Sequence, residues 1–156
     1  MPDVVCTEAT RVVMTQIVLP ENTNTHGTIF GGQLVAWMDI CGAVAAQRFA
    51  RGSVVTASID QLEFVAPVRQ GMIVELQGQV NQAWRTSMEV GVRVEAEEPL
   101  TGRRVHCCSG FLTFVALDSL GHPMEIPRLE VVEGEERRAV DADARRANRL
   151  AVRKRD

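Results

Sequence analysis

Between Asn24 and Ala50 the chain reads NTHGTIFGGQLVAWMDICGAVAAQRFA. A side-chain amide (Asn24), an imidazole (His26), a glycine pair (Gly31, Gly32) and a carboxylate (Asp39) follow one another within it. Together they suit attack on an activated carbonyl. A carboxylate can take a proton or attack, an amide can hold water or polarise the carbonyl, and backbone N–H groups can receive charge on oxygen. Asp39 is the pivot. From Gly32 to Ala50 the only other formal charge is Arg48, near the end, where a cation suits the helix dipole. An isolated carboxylate in an apolar helix is costly unless it is paired, hydrogen-bonded or put to use.

Each group also has a plainer use. Asp39 could pair with an arginine or cap a loop, and Asn24 could close an Asx-turn. His26 could be an ordinary loop residue, and Gly31-Gly32 a mere turn into the helix. In the functional reading, an N–H at that helix start would hold a developing oxyanion, a contribution of roughly 3–4 kcal/mol per donor. The glycine pair lacks phosphate-loop and dinucleotide spacings, and Ser109-Gly110 is not part of a G-x-S-x-G elbow. Cys6, Cys41, Cys107 and Cys108 form no Cys-x-x-Cys pair. Adjacent residues of a strand point to opposite faces, so packed, reduced thiols are expected, with no disulfide and no metal.

The positioning elements follow from periodicity. Leu34, Met38, Cys41, Ala45 and Phe49 recur at helical spacing, no proline interrupts them, and Gly52 is expected to close the helix. Gly42, Ala43 and Ala46 would flank Asp39 with little bulk, leaving room for another backbone or a ligand. Arg11 to Leu19, Ser53 to Val65, Ile73 to Trp84, Ser87 to Glu95 and Arg104 to Leu117 read as strands, the second with a bulge near Asp60-Gln61. Val74, Leu76, Gly78 and Val80 share one face, with close packing at Gly78. In the next strand Met88, Val90, Val92 and Val94 alternate with Glu89, Arg93 and Glu95, the pattern of a half-buried strand. The last strand is apolar on both faces and belongs in the middle of the sheet.

One long helix and five strands predict an α+β fold, with a curved antiparallel sheet wrapped around the helix and its open edges covered by a second copy. Residues 1–9 show no period and read as loose, 10–127 form the domain, and 128–156 a charged helical extension. In that extension Val140, Ala144, Ala147 and Ala151 make a narrow apolar stripe on a solvated helix. Its arginines read also as a basic arm toward an anionic ligand or neighbouring subunit.

At 156 residues with a net charge of -3, the chain is one domain and no bulk-electrostatic binder of nucleic acid. There is no secretory pattern and no run of membrane-spanning length, so a cytoplasmic setting without membrane contact is expected.

The motif Asn24-x-His26-Gly27-x-x-Phe30-Gly31-Gly32-x-Leu34, followed by Met38-Asp39, resembles that of hot-dog-fold acyl-CoA thioesterases, in the branch of the bacterial short-chain and brain-type cytosolic hydrolases. The likeness continues through Val55-Thr56, Phe64-x-x-Pro67-Val68-x-x-Gly71, Arg85-Thr86-Ser87 and Phe114-Val115-Ala116-Leu117-Asp118. Met72 departs from it, since relatives commonly carry Asp after the turn glycine.

The resemblance implies hydrolysis of acyl-CoA to free acid and coenzyme A, in homodimers that assemble as trimers of dimers, with no cofactor beyond the CoA of the substrate. It places the active site at the dimer interface, where Asn24 of one subunit faces Asp39 of the other. Asp39 acts as base or nucleophile, Asn24 holds the water or carbonyl, and the Gly32 N–H polarises the carbonyl. His26, Gly31, Thr56, Arg51, Arg85, Thr86 and Ser87 are the implied substrate-binding positions. A dehydratase pairing His26 with Asp39, and a non-catalytic acyl-CoA binding module, are the alternatives.

Overall fold

The computed structural model describes residues 3–155. Its elements in chain order are β1 (Val4–Cys6), β2 (Val12–Ile17), α1 (Gly31–Ala50), β3 (Ser53–Phe64), β4 (Ile73–Ala83), β5 (Ser87–Glu97), β6 (Arg104–Leu117), β7 (Arg128–Glu130) and α2 (Glu136–Arg153), with 3-10 turns at Thr7–Thr10 and Pro20–Asn22.

Helix α1 buries Leu34, Met38, Cys41, Ala45 and Phe49, the periodic set, against the inner face of one antiparallel sheet ordered β2-β4-β5-β6-β3. Val74, Leu76, Val80, Val90, Val92, Leu112 and Phe114 supply the sheet's half of the core. Two glycines permit the close approach. A Cβ on Gly78 would stand 3.1 Å from Cys41 Sγ, and one on Gly42 would stand 3.0 Å from the Phe114 ring. The room beside Gly42 is therefore filled by this chain's own Phe114, not left for another backbone or a ligand. The end of α1 also differs from expectation. Arg51, not Gly52, takes the left-handed conformation (φ 54°) and donates its N–H to Gln47 O at 2.8 Å. Gly52 lies under Met124, whose flexible tip (Cε) would have to move aside for a Cβ, standing 2.8 Å from it.

β6 is internal to the sheet, as its two apolar faces demand. β3 is an edge strand of 12 residues with register shifts at Thr56/Ser58 and Asp60/Glu63; Gln61 has φ 50° at the second. The expected bulge is the second of these. Residues 3–9 are not loose: Val4–Cys6 pairs in parallel with Arg128–Glu130, a strand too short to show a period. Met1 and Pro2 lie outside the described residues.

The outer face of the sheet carries α2, whose narrow apolar stripe is turned away from the sheet. Val140, Ala144, Ala147 and Ala151 face solvent. The side toward the sheet is Ala139 and Ala142 with the arginines. Arg145 makes two bonds to Glu89 (2.9 and 2.6 Å), Arg138 bonds Asn81 (2.8 Å), and Arg149 bonds Asp60 (2.8 Å). Glu89 is thus fully buried rather than solvent-facing. A carboxylate-bearing sheet face selects guanidinium groups where an apolar face would have selected the alanine stripe.

Candidate active site

Asp39 lies mid-way along α1, half-buried, on the side turned toward edge strand β3. Thr56, exposed on β3, donates Oγ1–H to Asp39 Oδ1 at 2.6 Å. No arginine pairs with Asp39 among the described residues, so the carboxylate is neither salt-bridged nor a loop cap. One oxygen is committed to a hydroxyl; the other has no hydrogen-bond partner among the described residues.

Asn24 sits in the loop before α1. Its Oδ1 accepts the N–H of His26 (2.8 Å) and of Thr28 (3.2 Å), closing an Asx-turn, and its Nδ2 reaches Thr28 Oγ1 at 3.0 Å. The loop turns at Gly27, φ 75°, whose N–H bonds Asn24 O at 3.1 Å. The plainer reading of Asn24 therefore holds within one chain, and the Asx-turn also fixes where its amide stands. His26 is exposed, and only its backbone N–H is engaged among the described residues. Asn24 and Asp39 of the same chain share no hydrogen bond.

Gly31 and Gly32 open α1 directly after Phe30, with no side-chain cap. The first N–H groups of a helix have no intrahelical acceptor and carry its positive dipole end. Both glycines are exposed, and neither has a positive φ. A Cβ on Gly32 would meet nothing within 4 Å among the described residues. Neither conformation nor this chain's own packing asks for glycine at 32. Beside it, Phe64 stands 3.4 Å from the Cβ position of Gly31, and a groove of ≈ 330 Å³ runs between Thr28, Gly31, Leu34, Phe64 and Val68. Phe64 was a motif residue with no assigned role in the sequence; the signal that could have found it is an exposed aromatic placed just after a bulge, which re-aims the strand.

The remaining candidates lie elsewhere. Arg51 is at the far end of α1 from Gly32, roughly 28 Å along a helix of this length. Arg85 and Thr86 lie in the β4–β5 turn and Ser87 opens β5 at that same far end: Ser87 is registered with Val115, and Val115 with Val55 near the start of β3. Arg85 makes only a long, exposed contact to Glu125 (3.8 Å). One chain therefore splits the candidates into two groups, Asn24–Gly32 at one end of the sheet and Arg51 with Arg85–Ser87 at the other, with Asp39 and Thr56 between them.

The whole is a long helix wrapped by an antiparallel sheet, with a carboxylate turned toward the edge strand and open N–H groups at the helix start. Residues 26–102 match the thioesterase superfamily. The acyl-CoA thioester hydrolase YkhA of Bacillus subtilis, itself uncharacterised, is 41% identical over 96% of this chain and 87% of its own length. An acyl-CoA hydrolase from Staphylococcus aureus, solved with butyryl coenzyme A and coenzyme A, superposes with a TM-score of 0.90 at 31% identity, over 97% of this chain and 93% of that one. An apo-hexameric acyl-CoA thioesterase gives the same TM-score at 42% identity, over 95% and 96%. The chain belongs to the acyl-CoA thioester hydrolase family and has its hot-dog fold. The Staphylococcus enzyme has also been solved as three alanine variants, at an asparagine, an aspartate and a threonine.

Proposed function

We propose that this protein hydrolyses acyl-CoA at a site shared by two subunits, with Asp39 and Thr56 from one and Asn24 and the α1 N-terminus from the other. The carrying observation is the Thr56–Asp39 hydrogen bond, which presents a carboxylate at an unpaired sheet edge. β3 is long and exposes Val55, Ile59 and Phe64 along that edge. Such an edge pairs with another chain unless it is covered. Antiparallel pairing of two β3 strands about a two-fold axis would set the Asn24–Gly32 end of one subunit beside the Arg51 and Arg85–Ser87 end of the other. That explains why one chain alone keeps the two groups apart. Further support comes from the Staphylococcus variants: the intervals between their asparagine, aspartate and threonine are the intervals between Asn24, Asp39 and Thr56.

In the proposed reaction Asp39 takes a proton from water as the water oxygen bonds to the thioester carbon. The Gly32 N–H holds the resulting oxyanion and Asn24 of the partner subunit orients the attack. Collapse breaks the C–S bond and releases coenzyme A as thiolate, a leaving group that needs no acid, with the free fatty acid as co-product. This chemistry calls for no cofactor and no metal. His26 and Gly31 line the approach; Arg51, Arg85, Thr86 and Ser87 face the CoA phosphates. We assign a trimer of dimers on the likeness to the hexameric relative, one domain over residues 10–127 with α2 as its extension, and a reducing cytoplasmic setting that suits four unpaired thiols. No helix of the described residues is long and apolar enough to cross a membrane.

The test is a chain-length series of acyl-CoAs with a thiol reagent to trap released coenzyme A. Wild type turns over and Asp39→Ala does not, at unchanged oligomer mass. Undiminished hydrolysis by purified Asp39→Ala would sink the assignment.

A further inference from the structure

Helix α2 crosses the outer face of the sheet strand by strand. Arg138 bonds Asn81 on β4; Arg145 bonds Glu89 on β5 and lies 3.6 Å over the Phe111 ring on β6; Arg149 bonds Asp60 on β3. From Arg138 to Arg149 a helix advances roughly 16 Å, and from β4 to β3 is three strand spacings, roughly 14 Å. The helix axis therefore runs nearly at right angles to the strands and reaches the edge strand at Arg149. It does not stop there. Leu150–Arg153 continue the helix, followed by Lys154 and Arg155. Arg153 is about 6 Å beyond Arg149, where the next strand of a continued sheet would lie.

The described residues give this helix end little support. Leu150 and Val152 are 39% and 56% exposed. Arg153, Lys154 and Arg155 make no ion pair among the described residues. Under the helix end a hollow of ≈ 410 Å³ opens between Ser58, Asp60, Gln61, Arg149, Val152 and Arg153. Ser58 Oγ, which lines it, is buried and without a hydrogen-bond partner among the described residues. Across the same edge, Glu63 is exposed on β3 and pairs with no cation among the described residues.

We infer that the last turn of α2 crosses the subunit seam and docks on the outer face of a second copy of this chain. Leu150 and Val152 lie against the partner's β3 or α2, and the Arg153–Arg155 cluster meets the acidic positions of the partner's β3. The inference rests on the β3–β3 dimer proposed above. α2 is then a strap over the seam, on the face opposite the thioester site.

Photo-crosslinking tests it on the full chain. p-Benzoylphenylalanine is placed at Val152, at Val140 on the solvent face, and at Ala57 on the β3 edge, in separate preparations of mixed ¹⁵N-labelled and unlabelled protein. The expected result is a mixed-isotope crosslink from Val152→p-benzoylphenylalanine to the partner's residues 53–65 or 136–155. Position 140 should give none to those residues. Capture by position 152 of its own chain only, of another region of the partner, or of nothing overturns the inference. Capture of the partner's β3 by position 57 shows in each case that the dimer itself stands. Failure at position 57 together with a monomeric native mass overturns the dimer reading as well.

Discussion

Thr56 on the edge strand and Asp39 on the central helix are joined through a hydrogen bond of 2.6 Å, the only one that the carboxylate makes among the described residues. The bond fixes one carboxylate oxygen and leaves the other without a partner among the described residues. Removing it with Thr56→Val leaves Asp39 present but free to rotate. A hydrogen bond to a charged group is worth about 1.5–3 kcal/mol, so kcat should fall roughly tenfold or more, with KM little changed. Asp39→Asn removes the proposed base and should lower kcat by about 10²–10⁴-fold. Steady-state kinetics on one acyl-CoA check both; a Thr56→Val enzyme with wild-type kcat would show that the bond plays no part in turnover.

A shared site predicts complementation. Asn24→Ala and Asp39→Ala homodimers should each be nearly inactive, for different reasons. Co-refolded together, half the dimers are hybrids, and each hybrid has one site with both residues intact, so about a quarter of wild-type activity should return. A site built within one chain would return none. Asn24→Ala also loses the Asx-turn acceptor of His26 and Thr28, so thermal scans of the singly substituted protein should accompany the assay.

The α2 anchorage is predicted to be unequal along its length. Glu89 is wholly buried and the Arg145 side chain 10% exposed. Arg145→Ala leaves the Glu89 carboxylate buried without its ion pair, held only by Asn81 Nδ2 at 3.1 Å, and should cost about 3 kcal/mol in urea unfolding. Arg149→Ala, at the more open Asp60 pair, should cost at most about 1 kcal/mol. The double variant Glu89→Met/Arg145→Met should recover most of the Arg145→Ala loss, because neither charge is then stranded.

This network also marks where the sequence stops being informative. The α1 register, the strand segments and the central place of β6 follow from apolar periodicity, which acts locally and can be read locally; the sheet order, with β3 at the edge beside β6, does not. Asp39 and Asn24 could be picked out because a polar group is conspicuous in an apolar helix or beside a glycine turn. Glu89 could not. Its alternation with Met88 and Val90 marks it as outward, which is correct, but what covers the outward face is set by α2, some fifty residues on in the chain. For the same reason the sequence, which reads α2 as a solvated helix, does not show that Arg138, Arg145 and Arg149 are its contact side. Likewise, nothing local distinguishes Gly42, filled by Phe114, from Gly32, which faces open space.

The buried thiols give a pH signature. Burial pushes Cys41 from the ordinary 9.0 up to about 11, and Cys107 and Cys108 likewise to about 11. The unfolded chain therefore loses these protons first as pH rises. The stability associated with neutral thiols is fully present below pH 9 and is lost progressively between pH 9 and 11, on the order of 2 kcal/mol per thiol at the upper end. Melting temperature should fall across that window, and less steeply in Cys41→Ala. At pH 8 a thiol reagent should find at most partly exposed Cys6 in the native protein and all four cysteines after denaturation.

Gly32 and Gly42 offer a paired test of what glycine is for in α1. At Gly42 a methyl group would press on the Phe114 ring at 3.0–3.1 Å, with Leu112 behind it at 3.8 Å, inside a packed core. Gly42→Ala should lower stability by about 1–3 kcal/mol through overpacking, and turnover only as far as the fold suffers. At Gly32 the methyl group meets nothing within 4 Å in this chain, and the backbone is already helical. Alanine is the better helix former by up to about 1 kcal/mol, so the melting temperature of Gly32→Ala should equal or exceed that of wild type. If the N–H at position 32 holds the oxyanion, the same methyl group intrudes where the substrate carbonyl must approach, and kcat should fall with stability intact. A Gly32→Ala protein as active as wild type would remove the helix N-terminus from the mechanism and leave the catalytic burden on Asp39 and Asn24.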